Sequence, residues 1–226
     1  MHLTNYGHST ISVKVSGKTL LFDPFITPNE LAKKIRLEDI TADYILLSHG
    51  HFDHVNDAEA LAKQTGATVI ANFEIVTWLG KKGIEKIHPM NIGGGYSFDF
   101  GRVKLVSALH SSALPDGTYG GSPGGFVVSS EEGAFYFAGD TALTLDFQLI
   151  AEEFDLRFAV LPIGDNFTMG ARDAARASQL LKCQDIVGVH YDTFPWIKID
   201  KAAATAEFTK VGARLHLPEI GSSVEL

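Results

Sequence analysis

One short segment of the chain carries three imidazoles and a carboxylate within six residues. Residues 49–54 have the sequence HGHFDH, and the side chains that can bind a metal are those of His49, His51, Asp53 and His54. Imidazole and carboxylate groups are common protein ligands for divalent metal ions. A polar loop with coincidental histidines is the weaker interpretation, because buried groups of this kind would stay unsatisfied without a cation. The spacing therefore predicts a metal site.

A predicted strand and a predicted helix flank this segment. Residues 44–47, Tyr-Ile-Leu-Leu, form a short apolar run that is typical of a buried strand. Residues 55–63 have a helical pattern, with Asn56 or Asp57 as the N-cap and Gly66 at the C′ position. We therefore expect the ligand segment to be a loop at the carboxyl end of a strand. Side chains of such a loop can turn toward one point.

Three further candidate ligands follow predicted strands later in the chain. His110 follows residues 102–109, and Asp140 and His190 also come at the ends of apolar runs. If these strands are parallel, their carboxyl ends lie at one edge and bring seven donors together. Seven donors exceed the needs of one tetrahedral ion and suit two ions that share a carboxylate and a water.

The order of the elements indicates an α/β fold. A hairpin-rich opening precedes the metal segment, and strands then alternate with helices, including one at residues 73–82. The second half repeats this rhythm, with helices predicted at 145–153, 173–182 and 201–211. Two β-sheets with helices on their outer faces account for this order.

Composition narrows the class of protein. The 226 residues are 45% hydrophobic and 20% charged, which fits a single globular domain spanning residues 1–226. A net charge of −8 without a basic block argues against nucleic acid or an anionic membrane as a partner. No apolar run reaches the roughly 20 residues of a membrane span, and the start lacks a signal-peptide pattern, so we expect a cytoplasmic protein. Cys183 is the only cysteine, which excludes an internal disulfide.

The ligand pattern resembles that of the metallo-β-lactamase fold superfamily. His-x-His-x-Asp-His at 49–54, then His110, Gly-Asp at 139–140 and His190 occur in the order found in that superfamily. Residues 5–9, 162–170 and 190–195 are similar to small bacterial metal-dependent hydrolases related to ascorbate-6-phosphate lactonase. The resemblance covers nearly the whole chain and implies a four-layer αββα sandwich.

The resemblance also implies how the ligands are divided between two divalent ions. One ion would be bound by His49, His51 and His110, the other by Asp53, His54 and His190, with Asp140 bridging both. All seven are nitrogen or oxygen donors, so zinc is the default metal, with manganese and iron as alternatives. Two ions outweigh the charge of two carboxylates and a bridging hydroxide, which favours an anionic substrate group or a developing oxyanion.

Three residues outside this set are candidates for supporting roles. By resemblance, Asp23 would accept a hydrogen bond from a metal-bound histidine and so orient it. His8 either contacts the substrate or is simply a packed or surface imidazole. Asp165 either supports the centre from behind the ligands or caps the helix that follows.

The leading functional hypothesis is a dinuclear hydrolase of a small molecule. A metal-bound hydroxide would attack an ester, lactone or phosphodiester, with Asp53, Asp140 and His190 as catalytic residues and Asp53, or a water that it holds, moving the proton. One alternative is an iron-dependent oxidoreductase resembling persulfide oxygenases; the di-iron members of the fold replace the second histidine by glutamate, which His51 argues against. A nuclease of the same fold is the other alternative. The oligomeric state stays open, with a homo-oligomer among the possibilities.

Overall fold

The computed structural model describes residues 1–226 and contains fourteen strands and six α-helices. The strands are β1 His2–Gly7, β2 Thr10–Val15, β3 Lys18–Phe22, β4 Tyr44–Leu47, β5 Thr68–Asn72, β6 Ile87–Met90, β7 Gly95–Phe98, β8 Gly101–Ser107, β9 Gly124–Ser130, β10 Gly133–Phe137, β11 Leu156–Pro162, β12 Asp185–Val189, β13 Arg214–His216 and β14 Ser223–Glu225. The helices are α1 Phe52–Val55, α2 Ala58–Thr65, α3 Phe73–Gly80, α4 Asp146–Glu153, α5 Ala171–Leu180 and α6 Lys201–Lys210. None of the helices has the length and apolar character needed to cross a membrane.

Hydrophobic patterning accounts for the strands. In β2, Val13 and Val15 are buried while Lys14 between them is exposed, as expected for alternating faces. The inner strands β4 and β11 are buried along most of their length, because layers cover both of their faces.

The strands form two sheets of seven. Their orders are β14-β1-β2-β3-β4-β5-β6 and β13-β12-β11-β10-β9-β8-β7. In the first sheet, β3 to β6 are parallel, and in the second, β10 to β13 are parallel. The remaining neighbours pair antiparallel. The alternation of strands and helices, which occurs in both halves of the sequence, thus corresponds to two similar sheets.

Apolar side chains join the layers. Between the sheets, the ring centroids of Phe22 on β3 and Phe137 on β10 are 4.7 Å apart. Helices α2 and α3 cover the outer face of the first sheet, where Leu61 and Ile75 are fully buried. Helices α4, α5 and α6 cover the second sheet, with Phe208 of α6 in that core. The predicted four-layer αββα sandwich is confirmed.

The strands that precede the candidate ligands run in one direction within each sheet. In the first sheet β1, β3 and β4 are mutually parallel, because β2 is antiparallel to both β1 and β3. In the second sheet β8, β10 and β12 are parallel by the same reasoning. A hydrogen bond from the Gly124 amide to the Ser48 carbonyl, 3.0 Å long, joins the two sheets at this end. The carboxyl ends therefore meet at one edge of the sandwich.

Local structure differs from the sequence-based expectation in two respects. Residues 52–55 form helix α1 rather than loop, since the extended His51 provides the carbonyl that accepts from the Val55 amide at 3.2 Å. Strands β6, β7 and β14 were not predicted. All three are edge strands, and β6 contains Pro89, which an edge tolerates because one side of the strand needs no partner.

Candidate metal centre

The loop after β4 and the first turn of α1 carry four candidate ligands. His49 and His51 lie on the loop, and Nε2 of His49 is 2.9 Å from Nδ1 of His51. Asp53 and His54 follow on α1. The backbone changes from extended to helical at His51. His49 and His51 therefore reach the centre from the loop, and Asp53 and His54 reach it from the helix.

Three imidazoles form one group of possible ligands: His49, His51 and His110. One ring nitrogen from each lies within 4.8 Å of the other two. Burial is the main cause that lowers the pKa of all three rings below the usual 6.5. The rings are therefore neutral near pH 7 and present lone pairs, as metal-binding imidazoles must.

Asp140, three residues after β10, lies between this group and the remaining histidines. Its Oδ2 is within 4.0 Å of Nε2 in four rings, at 3.0 Å for His190, 3.4 Å for His54, 3.6 Å for His110 and 4.0 Å for His49. One carboxylate oxygen thus faces both groups of imidazoles. This position is compatible with a bridging ligand.

Two glycines permit the close backbone approaches that hold Asp140 and His190. Gly139 has a φ of +61°, and a Cβ there would lie 2.5 Å from the Cβ of Ser48. A Cβ at Gly164 would lie 2.0 Å from the carbonyl oxygen of His190. A larger residue at either position would push a candidate ligand away from the centre.

A second group is formed by Asp53, His54, His190 and His8. Oδ2 of Asp53 is 3.8 Å from Nε2 of His54, 3.7 Å from Nε2 of His190 and 3.0 Å from Nε2 of His8. His8, which the sequence left as a substrate contact or a packed ring, is 5% exposed and packs against Asp53. Burial is the main cause that lowers the pKa of His8 to about 4, so this ring is neutral.

The charges of the buried centre are compatible with a bound cation. Burial opposes a charge on His54 and His190, but the Asp140 and Asp53 carboxylates outweigh it, raising the pKa of His54 well above its usual value and that of His190 to about 9. The same contacts hold the pKa of both carboxyl groups low despite burial. Nε2 of His54, Oδ1 of Asp140 and Nδ1 of His190 are buried without a hydrogen-bond partner. The residues therefore fit divalent cations, which would replace the protons on these imidazoles.

Comparison with known proteins identifies the family. Residues 18–191 match the family model of the beta-lactamase superfamily domain. The chain belongs to the metallo-β-lactamase superfamily. A relative from Christiangramia forsetii, named UPF0173 metal-dependent hydrolase, is 52% identical over 227 residues that cover 100% of both chains.

Solved structures agree with the family. A metallo hydrolase from the hyperthermophilic archaeon Ignicoccus hospitalis is 34% identical, with a TM-score of 0.89 over 99% of this chain and 97% of that one. An isothiocyanate hydrolase from Delia radicum gut bacteria shares the fold, with a TM-score of 0.80 at 20% identity over 100% of this chain and 99% of that one. The predictions of the metallo-β-lactamase superfamily and of a metal-dependent hydrolase are confirmed.

In this metallo-β-lactamase site, Asp23 lies directly behind His54. Its fully buried carboxylate accepts a 2.7 Å hydrogen bond from Nδ1 of His54, and it also accepts bonds from the Ser48 amide and hydroxyl at 2.7 and 2.5 Å. Burial raises the pKa of Asp23, while the bonds from His54 and Ser48 oppose that rise. Asp23 thus fixes the ring of His54 with Nε2 toward Asp140.

We expect Asp23→Asn to weaken metal binding about 10- to 100-fold, the usual effect of changing a partner of a metal-bound imidazole. The amide removes the negative charge that His54 donates to but keeps the shape of the side chain. Chelator competition measures the affinity. The matched control is Asp165→Asn, and an equal loss in both variants would contradict this role for Asp23.

Asp165 is not among the residues that the structure brings together at the centre. It is exposed, and its carboxylate accepts a 2.8 Å hydrogen bond from the Asn166 amide. Helix α5 has Gly170 as its N-cap residue without a side-chain cap, so Asp165 does not cap that helix either.

Sequence reasoning missed two supporting hydroxyl groups. Ser48 contacts both Asp23 and Nδ1 of His49. Thr193 lies 3.0 Å from Nδ1 of His8. Ser48 directly precedes the candidate ligand His49 and Thr193 follows His190 by three residues, so a search for hydroxyl groups near the candidate ligands would have singled out both.

Proposed function

We propose that the protein is a hydrolase with two metal ions per chain. The ligands would be His49, His51 and His110 for one ion, Asp53, His54 and His190 for the other, and Asp140 for both. The observation that carries this proposal is that Oδ2 of Asp140 lies within 4.0 Å of ring nitrogens from both groups. Zinc remains the default metal for such nitrogen and oxygen donors, with manganese and iron as alternatives.

The catalytic roles follow from exposure and charge. When bound, the two ions supply a water nucleophile of lowered pKa and stabilise negative charge on the substrate. The Asp53 side chain is 22% exposed, compared with 3% for Asp140 and 2% for His190. We therefore assign proton transfer with water or the leaving group to Asp53. Asp140 and His190, whose side chains are almost fully buried, would bind the ions from the protein interior.

The substrate is a small molecule with an anionic or developing anionic oxygen. Four positive charges from two ions exceed the two negative charges of Asp53 and Asp140, so the centre attracts a further negative group. Esters, lactones and phosphodiesters meet this requirement. An isothiocyanate, which develops negative charge on nitrogen and sulfur when water adds to its carbon, is a further candidate because one structural neighbour is a hydrolase of that class.

Substrate would enter from the side of His51 and His110, which are both partly exposed. The loop before β9 lies beside this side: Ser112 accepts from the Gly50 amide at 3.0 Å and donates to the Gly120 carbonyl at 3.0 Å. Phe52 and Leu109, next to ligands in sequence, are 48% and 63% exposed. These apolar surfaces suit a substrate that carries an apolar group.

We expect two metal ions per chain in protein purified without chelator and supplied with zinc or manganese. Seven donors around Asp140 are the physical reason, because one tetrahedral ion needs only four ligands. Elemental analysis against protein concentration measures the ratio, with chelator-treated protein as the control. A ratio that stays at one metal ion per chain, even with metal in excess, would contradict the dinuclear proposal.

The substrate class is tested on the metal-loaded protein with a panel of lactones, phosphodiesters, cyclic nucleotides, thioesters and isothiocyanates. Cytoplasmic location, a single domain over residues 1–226 and the lack of a nucleic-acid partner stay predictions from composition. The oligomeric state is likewise open to measurement, with a homo-oligomer among the outcomes.

A further inference from the structure

The ring of His8 faces Asp53, His54 and His190 at distances that fit a shared ion. Nε2 of His8 is 3.0 Å from Oδ2 of Asp53, and one ligand atom from each of the four residues lies within 4.8 Å of the other three. Ligands that are about 2.0–2.2 Å from one zinc ion stand roughly 3–4 Å apart. The contacts of Asp53 with His54 and His190, 3.8 and 3.7 Å, have the same spacing.

The contacts of Thr193 are compatible with a proton on Nδ1 of His8. Nδ1 of His8 is 3.0 Å from Oγ1 of Thr193, and the carbonyl oxygen of Tyr191 is an acceptor for the same hydroxyl at 3.3 Å. When the hydroxyl donates to Tyr191, its oxygen accepts from Nδ1 of His8. In that tautomer Nε2 has a lone pair that is free for a metal ion. A lone pair and a carboxylate oxygen 3.0 Å apart can both bind one cation.

His54 shows the same arrangement. Its Nδ1 donates to Asp23 at 2.7 Å, and its Nε2 faces Asp140 at 3.4 Å. An outer N–H bound to an oxygen acceptor, with the inner nitrogen free, is how proteins orient metal-binding histidines. With a proton on Nδ1 of His8, His8 and Thr193 repeat the relationship between His54 and Asp23.

The backbone holds His8 in place. His8 and His190 have φ values of +54° and +57°, and the His190 amide donates to the His8 carbonyl at 3.0 Å. Their ring centroids are 4.3 Å apart. Left-handed backbone at a residue other than glycine costs free energy and is concentrated at functional sites. Packing thus keeps the ring of His8 beside the centre and away from solvent.

We propose that His8 binds, through Nε2, the ion held by Asp53, His54 and His190, an assignment that rests on the dinuclear centre proposed above. With the bridging Asp140, that ion has five protein ligands, whereas the ion of the three-imidazole group has four. A site with fewer protein ligands keeps a position for substrate. The three-imidazole ion, beside the partly exposed His51 and His110, is then the one that keeps a position for substrate.

The competing role for His8 is donation of a hydrogen bond to Asp53, which would only position that carboxylate. Glutamine separates the two roles, because its amide N–H can donate to a carboxylate. Zn²⁺ and Co²⁺ favour imidazole, whereas an amide oxygen suits harder ions such as Mg²⁺ and Ca²⁺. His8→Gln therefore keeps the positioning contact and loses the metal bond.

The test measures Co²⁺ binding to the metal-free full chain for the wild type, His8→Gln and His8→Ala. Chelator competition gives the two affinities, and the visible absorption of Co²⁺ reports its coordination. We expect His8→Gln to lower the affinity for one of the two ions by about 100-fold or more, which exceeds the usual effect of a residue that only orients a ligand. The affinity for the other ion should stay within about threefold of the wild-type value. Added imidazole should restore the lost affinity in His8→Ala. The exposed His2 provides the matched control, His2→Gln.

Each outcome decides the assignment. Wild-type affinities and an unchanged Co²⁺ spectrum in His8→Gln would overturn it. A wild-type chain that binds only one ion would refute the dinuclear proposal, and retention or loss of that ion in His8→Gln would still decide the role of His8. Should the variants not fold, the ¹⁵N resonances of His8 in the zinc-loaded wild type decide: a protonated Nε2 overturns the assignment, and a metal-shifted Nε2 upholds it.

Discussion

Replacing Asp140 with alanine is expected to abolish the paired metal centre and to lower the rate of hydrolysis by at least about 1,000-fold. The loss should be this large because changing only a residue that orients a ligand already lowers metal affinity or activity by about 10- to 100-fold. The Oδ2 atom of Asp140 faces both groups of histidines, so its removal takes a ligand from each ion. It also removes the carboxylate that holds the pKa of His54 and His190 high. These two buried rings would then have less negative charge beside them to compensate their own positive charge.

The measurement is metal content per chain after gel filtration, together with the rate on a substrate from the panel. Asp165→Ala is the control, because this carboxylate is exposed and has no hydrogen bond to the centre. Circular dichroism should show the same fold for both variants. If the two variants retain equal metal and equal activity, Asp140 is not a bridging ligand and the division of ligands is wrong.

Much of the candidate site was predictable because its ligands follow a simple rule of sheet geometry. His110, Asp140 and His190 each come directly after an apolar run, and parallel strands present their carboxyl ends at one edge. The six-residue segment at 49–54 is local, so its chemistry can be read without knowing the fold. The family resemblance then supplied the pairing of the two sheets.

The unpredicted elements depend on partners that are distant in sequence. Strand β14 forms because Val224 pairs with Leu3, at the opposite end of the chain. Three residues at an edge have too little hydrophobic pattern to indicate a strand by themselves. Helix α1 is likewise invisible to periodicity, since four residues cover only about one turn.

The environment of His8 is also a product of tertiary structure. The ring contacts Asp53, 45 residues away, and Thr193, 185 residues away. A single histidine in a hairpin turn has no periodic signal, and hydrogen-bond directions decide whether it is a ligand or a donor. The hydrogen bonds that His8 can form depend on the positions of Asp53, Thr193 and the Tyr191 carbonyl.

The source of the oxygen atom in the product separates hydrolysis from oxygenation completely. With a substrate from the panel, the reaction in water enriched in heavy oxygen is expected to place one label in the product. The rate should be the same with and without dioxygen, because the proposed reaction needs only water, the metal centre and Asp53. Mass spectrometry of the product measures the label, and chelator-treated protein gives the background.

The dependence of the rate on pH provides a second measure of the same reaction. Zinc lowers the pKa of bound water to about 7, so the rate should rise through roughly pH 6 to 8 and then level. The carboxyl pKa values of Asp53 and Asp140 are held low by their imidazole neighbours, so protonation of these groups should not interrupt the rise. Label taken from dioxygen, together with loss of activity under anaerobic conditions, would instead establish an iron-dependent oxygenase on this fold.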